Sequence, residues 1–355
     1  MKTLTNNYPE LAQSRVDMVS QSELYRPSNF WDEASQQIVS ELCLYGVERF
    51  RSLPTALDFF VPTYGLPGNC FSQEMYDGLL TRFKKEFPLE KKPQLSLDYF
   101  LNGQMSAMAD YRVLLAADNQ TVQPFLHTFS ESTFGEPIEQ FEFDGKKYSR
   151  SSLNYLLGLA MLKKHLNGSV PKTILEIGGG FGTLGEILSS SGVELLRYID
   201  IDIPPTSFVA QVYLSSILGE KNVATYEQTK NKSSIEITSL PKASVLCSWQ
   251  IEKLVGQVDL FVNFISFQEM EPHIVKNYLE HVARLGTEWV LLRNMKEGKN
   301  KIKVKGDVGV ETPILSDDYK TMLSGYELID RNVFPFGYKT VDGFHSELLL
   351  FKRKK

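Results

Sequence analysis

The sharpest change of hydrophobic pattern in the chain falls at residues 173–188. Ile174, Leu175 and Ile177 form a short apolar run that predicts a buried strand. Gly178, Gly179, Gly180 and Gly182 follow, and Leu184, Ile187 and Leu188 then recur at helical spacing. Strand, glycine turn and helix form a crevice where the backbone comes close to a ligand and helix N–H groups point at it. Further apolar runs predict strands at 195–202, 245–249, 258–263 and 289–292, with helical patterns at 208–218 and 271–285. Residues 235–238 are another strand candidate, and 332–351 reads as a closing antiparallel hairpin. This alternation predicts an α/β fold with a doubly wound, Rossmann-like sheet.

The first third has a different pattern. Ser28 caps an amphipathic helix through Ile38, Leu42 and Leu44, and a helical pattern continues over 49–57. A loop rich in breakers and aromatics covers 59–70, a helix is predicted at 72–87, and 95–117 reads as one helix with Gly103 inside it. The expected division is therefore 1–120, mostly helical, and 121–355, carrying the crevice. The helical part is expected to cover the substrate or to join two copies as a homodimer. Within the second part, 141–148 reads as a hairpin turning at Asp144 and Gly145. A helix over 149–166 then ends at Asn167 and Gly168.

Bulk properties narrow the setting. A net charge of −5 argues against a nucleic-acid partner, and the basic stretches 296–305 and 352–355 read as solvated. Cys43, Cys70 and Cys247 are scattered and lack metal-ligand spacing, which fits free thiols in a reducing compartment. The first residues carry no apolar h-region, so no signal peptide is expected, and no run approaches the ~20 apolar residues a membrane helix needs. The expected location is the cytoplasm.

Glu176 is the unusual residue. A carboxylate in a buried strand is costly unless it is paired, and a cationic ligand would pair with it. Glu176, Gly178, Gly180 and Gly182 form an acidic-x-Gly-x-Gly-x-Gly pattern that resembles motif I of the class I methyltransferases. Their donor, S-adenosylmethionine, carries a sulfonium and an amino group. A rival pattern overlaps it. Gly180, Gly182 and Gly185 spell G-x-G-x-x-G, with Asp200 about 20 residues beyond, as a nicotinamide-binding oxidoreductase would have. Glycine spacing does not choose between them; Glu176 favours the methyl donor.

An acidic residue ending the second strand can hold both ribose hydroxyls. Period-two alternation puts Asp200 and Asp202 on the same side. Asp202, directly before Ile203 and Pro204 where the strand must stop, is favoured. Trp249 is a candidate to stack on adenine or to pack in the core. Tyr148, Arg150 and Ser152 are candidates to touch the donor's carboxylate, and the serines read equally well as N-caps.

Asn263, Ser266, Phe267, Gln268, Glu269 and Met270 follow the fourth strand. Taken with the glycine motif, with 198–204 and with Tyr278 and Leu279, this run resembles a bacterial family of sugar O-methyltransferases over residues 148–295. Ile203 stands where that family has leucine. The resemblance implies S-adenosylmethionine as cofactor, Asn263 among its contacts, and a hydroxyl of a sugar or glycan precursor as acceptor. Methyl transfer to another small molecule, at oxygen or nitrogen, is the alternative. A hydroxyl acceptor calls for a general base after strand four. Glu269 and His273, about one helical turn apart, are the candidates, and His345 is a third. Glu269, Glu271 and His273 have no diagnostic metal spacing, so no metal is assigned.

Overall fold

The computed structural model describes residues 2–65, 73–86, 91–302, 309–340 and 343–355. Seven strands carry the central sheet: β1 Thr173–Ile177, β2 Arg197–Asp202, β3 Ala243–Cys247, β4 Leu260–Phe264, β5 Trp289–Met295, β6 Tyr326–Asn332 and β7 His345–Arg353. Their order across the sheet is β6-β7-β5-β4-β1-β2-β3. Short pieces at Val223–Ala224 and Tyr338–Lys339 complete nine strands. β1 to β5 run parallel, and β7 lies antiparallel between β5 and β6. The closing hairpin is thus formed, but its first strand lies earlier than the hydrophobic pattern suggested.

Period-two alternation gives strands β1 to β5 two buried faces. Leu175, Ile177, Ile199, Ile201 and Phe261 join one core cluster, while Ile174, Tyr198, Val245 and Val262 join the other. Helices cover both faces: α1 Arg150–Lys163, α2 Thr183–Ser189, α3 Thr206–Leu218 and α4 Pro272–Arg284. The first three pack on the Ile174 face and α4 on the Leu175 face. The result is a doubly wound, Rossmann-like sheet with a helical N-terminal region. A Cβ at Gly185 would come 2.6 Å from the Tyr198 ring, so this glycine lets α2 lie close on β2.

The first third is not a separate layer. Phe50 and Phe60 pack with each other, and Phe50 also meets Phe181 and Tyr213. The helices of this region therefore share one core with α1 to α3. The stretch read as one helix over 95–117 is two, Lys91–Leu101 and Gln104–Ala117. Gly103 at φ +84° breaks it, since a left-handed residue cannot continue a right-handed helix. Ile235–Glu236 pairs only with Leu254–Val255, outside the main sheet. Cys43 and Cys247 are free thiols, and Cys70 lies outside the described residues. Among the described residues no helix is long and apolar enough to cross a membrane.

Candidate active site

A cavity of about 310 Å³ opens at the carboxyl ends of β1, β2, β4 and β5, where open α/β sheets bind ligands. The glycine turn forms part of its floor. Gly178 and Gly180 have φ of +71° and +63°, and a Cβ on Gly178 would meet Ser266 Oγ at 2.2 Å. The turn after β1 and the loop after β4 are thus pressed together. Asn263 ties them. Its Nδ2 donates to Ile177 O at 2.9 Å and to Ser266 Oγ at 2.6 Å, and its Oδ1 accepts from Phe267 N at 3.2 Å. Asn263 is fully buried and lies behind the cavity wall. Ile265, a β-branched residue held at φ +77°, does line the cavity. Such strain persists only where the surroundings enforce it, and it clusters at functional sites.

Three carboxylates gather at the turn. Glu176 accepts from Tyr155 Oη at 2.7 Å and Tyr198 Oη at 2.5 Å. The partner expected to be a ligand cation is therefore two phenol hydroxyls, and Glu176 lies beneath the floor. Burial still pushes its pKa up to about 7. Asp200 is Glu176's register partner on β2. It is fully buried, accepts from Gly179 N at 3.2 Å, and its Oδ2 has no partner. Burial, then Asp202 and Glu176, raise its pKa well above the usual carboxylate range. Asp202 lines the cavity and Asp200 does not. Asp202 accepts from Ile203 N at 2.7 Å, Thr206 Oγ1 at 3.0 Å and Gly180 N at 3.2 Å. Burial outweighs these bonds and holds its pKa at about 7.

Glu269 also lines the cavity. Its Oε2 accepts from Trp31 Nε1 at 3.0 Å, and Lys299 Nζ lies 3.8 Å from Oε1. Burial raises its pKa to about 7 against the pull of Lys299 and Trp31. Ser28 Oγ donates to the Glu269 carbonyl at 2.9 Å. With Leu24, Pro27, Phe59 and Phe60, these residues bring the N-terminal region over the cavity.

Several sequence candidates lie elsewhere. His273 is exposed on α4, outside the lining, so the structure does not bring it to the cavity with Glu269. Trp249 is buried outside the lining, its ring edge-on to Tyr226 with centroids 5.7 Å apart. The cavity wall on that side is instead Ile203, Met270, Ile274 and Tyr278. His345 pairs with Glu297 at 2.5 Å, outside the lining. Ser149 and Ser152 form a capping box at the start of α1. Of the candidates Tyr148, Arg150 and Ser152, only Arg150 lines the cavity, with Ser151 beside it. Among the described residues, no three His, Cys, Asp or Glu side chains converge as a metal site. Sequence reasoning missed Trp31, Lys299 and Tyr338. Trp31 alone left a signal, as an aromatic in the first turn of a predicted helix, although Ser28, read as its cap, makes no side-chain cap bond.

No family model matches the sequence, and no curated protein matches it. Distant likenesses appear among solved structures. Magnesium protoporphyrin IX methyltransferase from Synechocystis, with bound SAH, is 14% identical at a TM-score of 0.40, over 58% of this chain and 84% of that one. The mitomycin 7-O-methyltransferase MmcR is 12% identical at 0.36, over 93% and 74%. An O-methyltransferase family protein from Burkholderia thailandensis is 13% identical at 0.35, over 58% of each chain. At such identity and score, function has to be argued from the site itself.

Proposed function

We propose that the protein is an S-adenosylmethionine-dependent methyltransferase acting on a hydroxyl of a small acceptor, a sugar or glycan precursor being the class that the sequence resemblance implies. The observation that carries this reading is the placement of Asp202. It stands in the cavity beside a left-handed glycine turn, with Glu176 and Asp200 buried behind it. Of the three, Asp202 is the one that faces the cavity, and a carboxylate there favours a ligand that brings hydrogen-bond donors or positive charge.

S-adenosylmethionine supplies a methyl group activated on a sulfonium. With the donor bound, Asp202 would accept hydrogen bonds from its two ribose hydroxyls. Ile203, Ile274 and Tyr278 offer the apolar wall for adenine, the role first considered for Trp249. Gly178 to Gly180 let the amino-acid arm approach the backbone. With the donor bound, an acceptor oxygen would form its bond to the methyl carbon as the carbon–sulfur bond broke, the electron pair staying on sulfur. The acceptor's proton passes to Glu269. A carboxylate with a pKa of about 7 suits proton removal near neutrality. Much of the rate then comes from holding the two reactants in line.

The oxidoreductase reading needs Asp200 at the ribose, but Asp200 is fully buried outside the lining, which supports the methyl donor instead. Calorimetric titration with S-adenosylhomocysteine and with NADH tests the choice, on the native protein and on Asp202→Ala. Micromolar binding of the first, weakened in the variant, is expected. Binding of NADH alone would sink the proposal.

A further inference from the structure

One end of the cavity carries charge to which the chemistry above gives no role. Arg150, the first residue of α1, lines it. Its Nη1 donates to Thr63 O at 2.6 Å and its Nη2 to Tyr338 Oη at 3.0 Å. The guanidinium lies 5.6 Å from the Tyr64 ring centre and 5.3 Å from that of Tyr338. Behind it, Arg293 on β5 is 0% exposed. Arg293 donates to Phe336 O at 2.8 Å, Asn154 O at 3.1 Å and, at 3.4 Å, Ser346 Oγ. Its Nε has no partner.

Among the described residues, arginine ion pairs are made by Arg49, Arg51, Arg82 and Arg331, and neither Arg150 nor Arg293 has a carboxylate within 4.0 Å. The Tyr338 phenol acts on both, its pKa, which burial raises, pulled below the usual tyrosine range by Arg150 and Arg293, and two carboxylic acids act from further away. Asp110 accepts from Tyr64 Oη, and Glu139 accepts from the N–H groups of Tyr64 and Gly65. Burial pushes both up, Glu139 to about 7, and among the described residues neither carboxyl pairs with either guanidinium. A buried guanidinium without a carboxylate is costly, and a cavity-facing one is suited to an anionic ligand.

Position assigns this charge to the acceptor rather than the donor. The glycine turn and Asp202 stand over β1 and β2. Arg293, Ser346 and Tyr338 belong to β5, β7 and the piece paired with β7. With β4 between β5 and β1, and about 4.8 Å per strand, β5 lies roughly 10 Å from β1. Arg150, Tyr338, Thr340 and Ser346 face the cavity from that side.

We propose that Arg150, with Arg293 reinforcing the field behind it, seats an anionic group of the acceptor. The molecule methylated carries a carboxylate or a phosphate, so that among sugars a sugar acid or glycosyl phosphate fits and a neutral sugar does not. This rests on the methyl-transfer reading.

The test is calorimetric and needs no knowledge of the acceptor. Protein saturated with S-adenosylhomocysteine is titrated with inorganic phosphate and with benzoate, as native protein, Arg150→Met, Arg150→Lys and Thr340→Glu. At least one anion should bind the native protein at about 10 mM or better and weaken about tenfold in Arg150→Met, less in Arg150→Lys. S-adenosylhomocysteine itself should change by less than about threefold. Thr340→Glu leaves both arginines in place and should also abolish anion binding through the added carboxylate, so the prediction survives if Arg150→Met fails to fold. Two results overturn the proposal. One is that neither anion binds. The other is that Arg150→Met weakens S-adenosylhomocysteine about tenfold but leaves 5′-methylthioadenosine, which lacks the amino-acid arm, unchanged. The seat would then hold the donor's carboxylate. If S-adenosylhomocysteine fails to bind the native protein at all, the methyl-transfer reading itself has failed, and the acceptor assignment goes with it.

Discussion

Tyr198 Oη donates to Glu176 Oε2 at 2.5 Å, from the neighbouring strand and on the same face of the sheet. Tyr155 completes the pairing from α1, its ring stacked on Phe264 at 4.8 Å with an interplanar angle of 4°. The carboxylate under the glycine turn is thus satisfied by protein groups whether or not a ligand is present. Tyr198→Phe removes one bond from a buried charged acceptor and should destabilise the fold by about 1–3 kcal/mol. Urea unfolding measures this; no change in midpoint would mean that Glu176 is held neutral and needs little support.

The raised carboxyl groups predict how stability varies with pH. Glu139, Glu176, Glu186, Asp202 and Glu269 are each held at about 7, with burial the largest cause in every case. In the unfolded chain they titrate near 4. Between those limits the native state binds more protons than the unfolded state, so stability is present at the acid end and falls as pH rises towards about 7. Asp317 and Glu297 are shifted the other way, but both are exposed and act weakly. The thermal midpoint should therefore be lower at about pH 8 than at about pH 5.5. A cationic ligand bound beside Asp202 should recover more at the alkaline end. A midpoint that rises over this range would show that the carboxylates are ionised in the native state at lower cost than their burial implies.

Asp200 and Asp202 look alike in the sequence and differ in the fold. Asp202→Asn disturbs a side chain that holds Gly180 N and Ile203 N and faces the cavity. Affinity for S-adenosylhomocysteine should fall by about tenfold or more. Asp200→Asn replaces a buried acid whose Oδ2 has no partner, so affinity should stay within about threefold. Calorimetry on both variants decides. The reverse order would return the ribose to Asp200 and reopen the dinucleotide reading.

What the sequence made legible follows from which forces are local. The strand, glycine turn and helix at 173–188 are set by nearby residues, and the structure builds them where the pattern put them. The parallel strands follow from apolar runs buried on both faces. Gly185 was visible as part of a dinucleotide pattern, whereas its role here is to admit the Tyr198 ring. The pairing of Glu176 was not visible, because Tyr155 and Tyr198 lie 21 and 22 residues away, and only the packing of α1 and the register of β2 bring them in. Trp31 and Glu269 are separated by 238 residues, so no local pattern could place one over the other. The Arg150–Tyr338 contact, spanning 188 residues, was hidden for the same reason.

Trp31 offers a direct reading of Glu269. The indole N–H donates to Glu269 Oε2 at 3.0 Å, and the carboxyl group titrates at about 7. Protonation removes the charged acceptor, so tryptophan emission should shift with a midpoint near neutrality. The other two tryptophans lie away from this contact, Trp249 against Tyr226 and Trp289 beneath Lys352. Glu269→Gln should abolish the transition, and Trp31→Phe should remove the signal. If Glu269 takes the acceptor's proton, it must be ionised to act. The methyl-transfer rate should then rise with pH through about 7 and level off, and Glu269→Gln should lower it by about 10²–10⁴-fold. A fluorescence transition that disappears in Glu269→Gln while the rate keeps its pH profile would separate the two roles. Glu269 would then anchor the N-terminal cover through Trp31, and the proton would leave by another group.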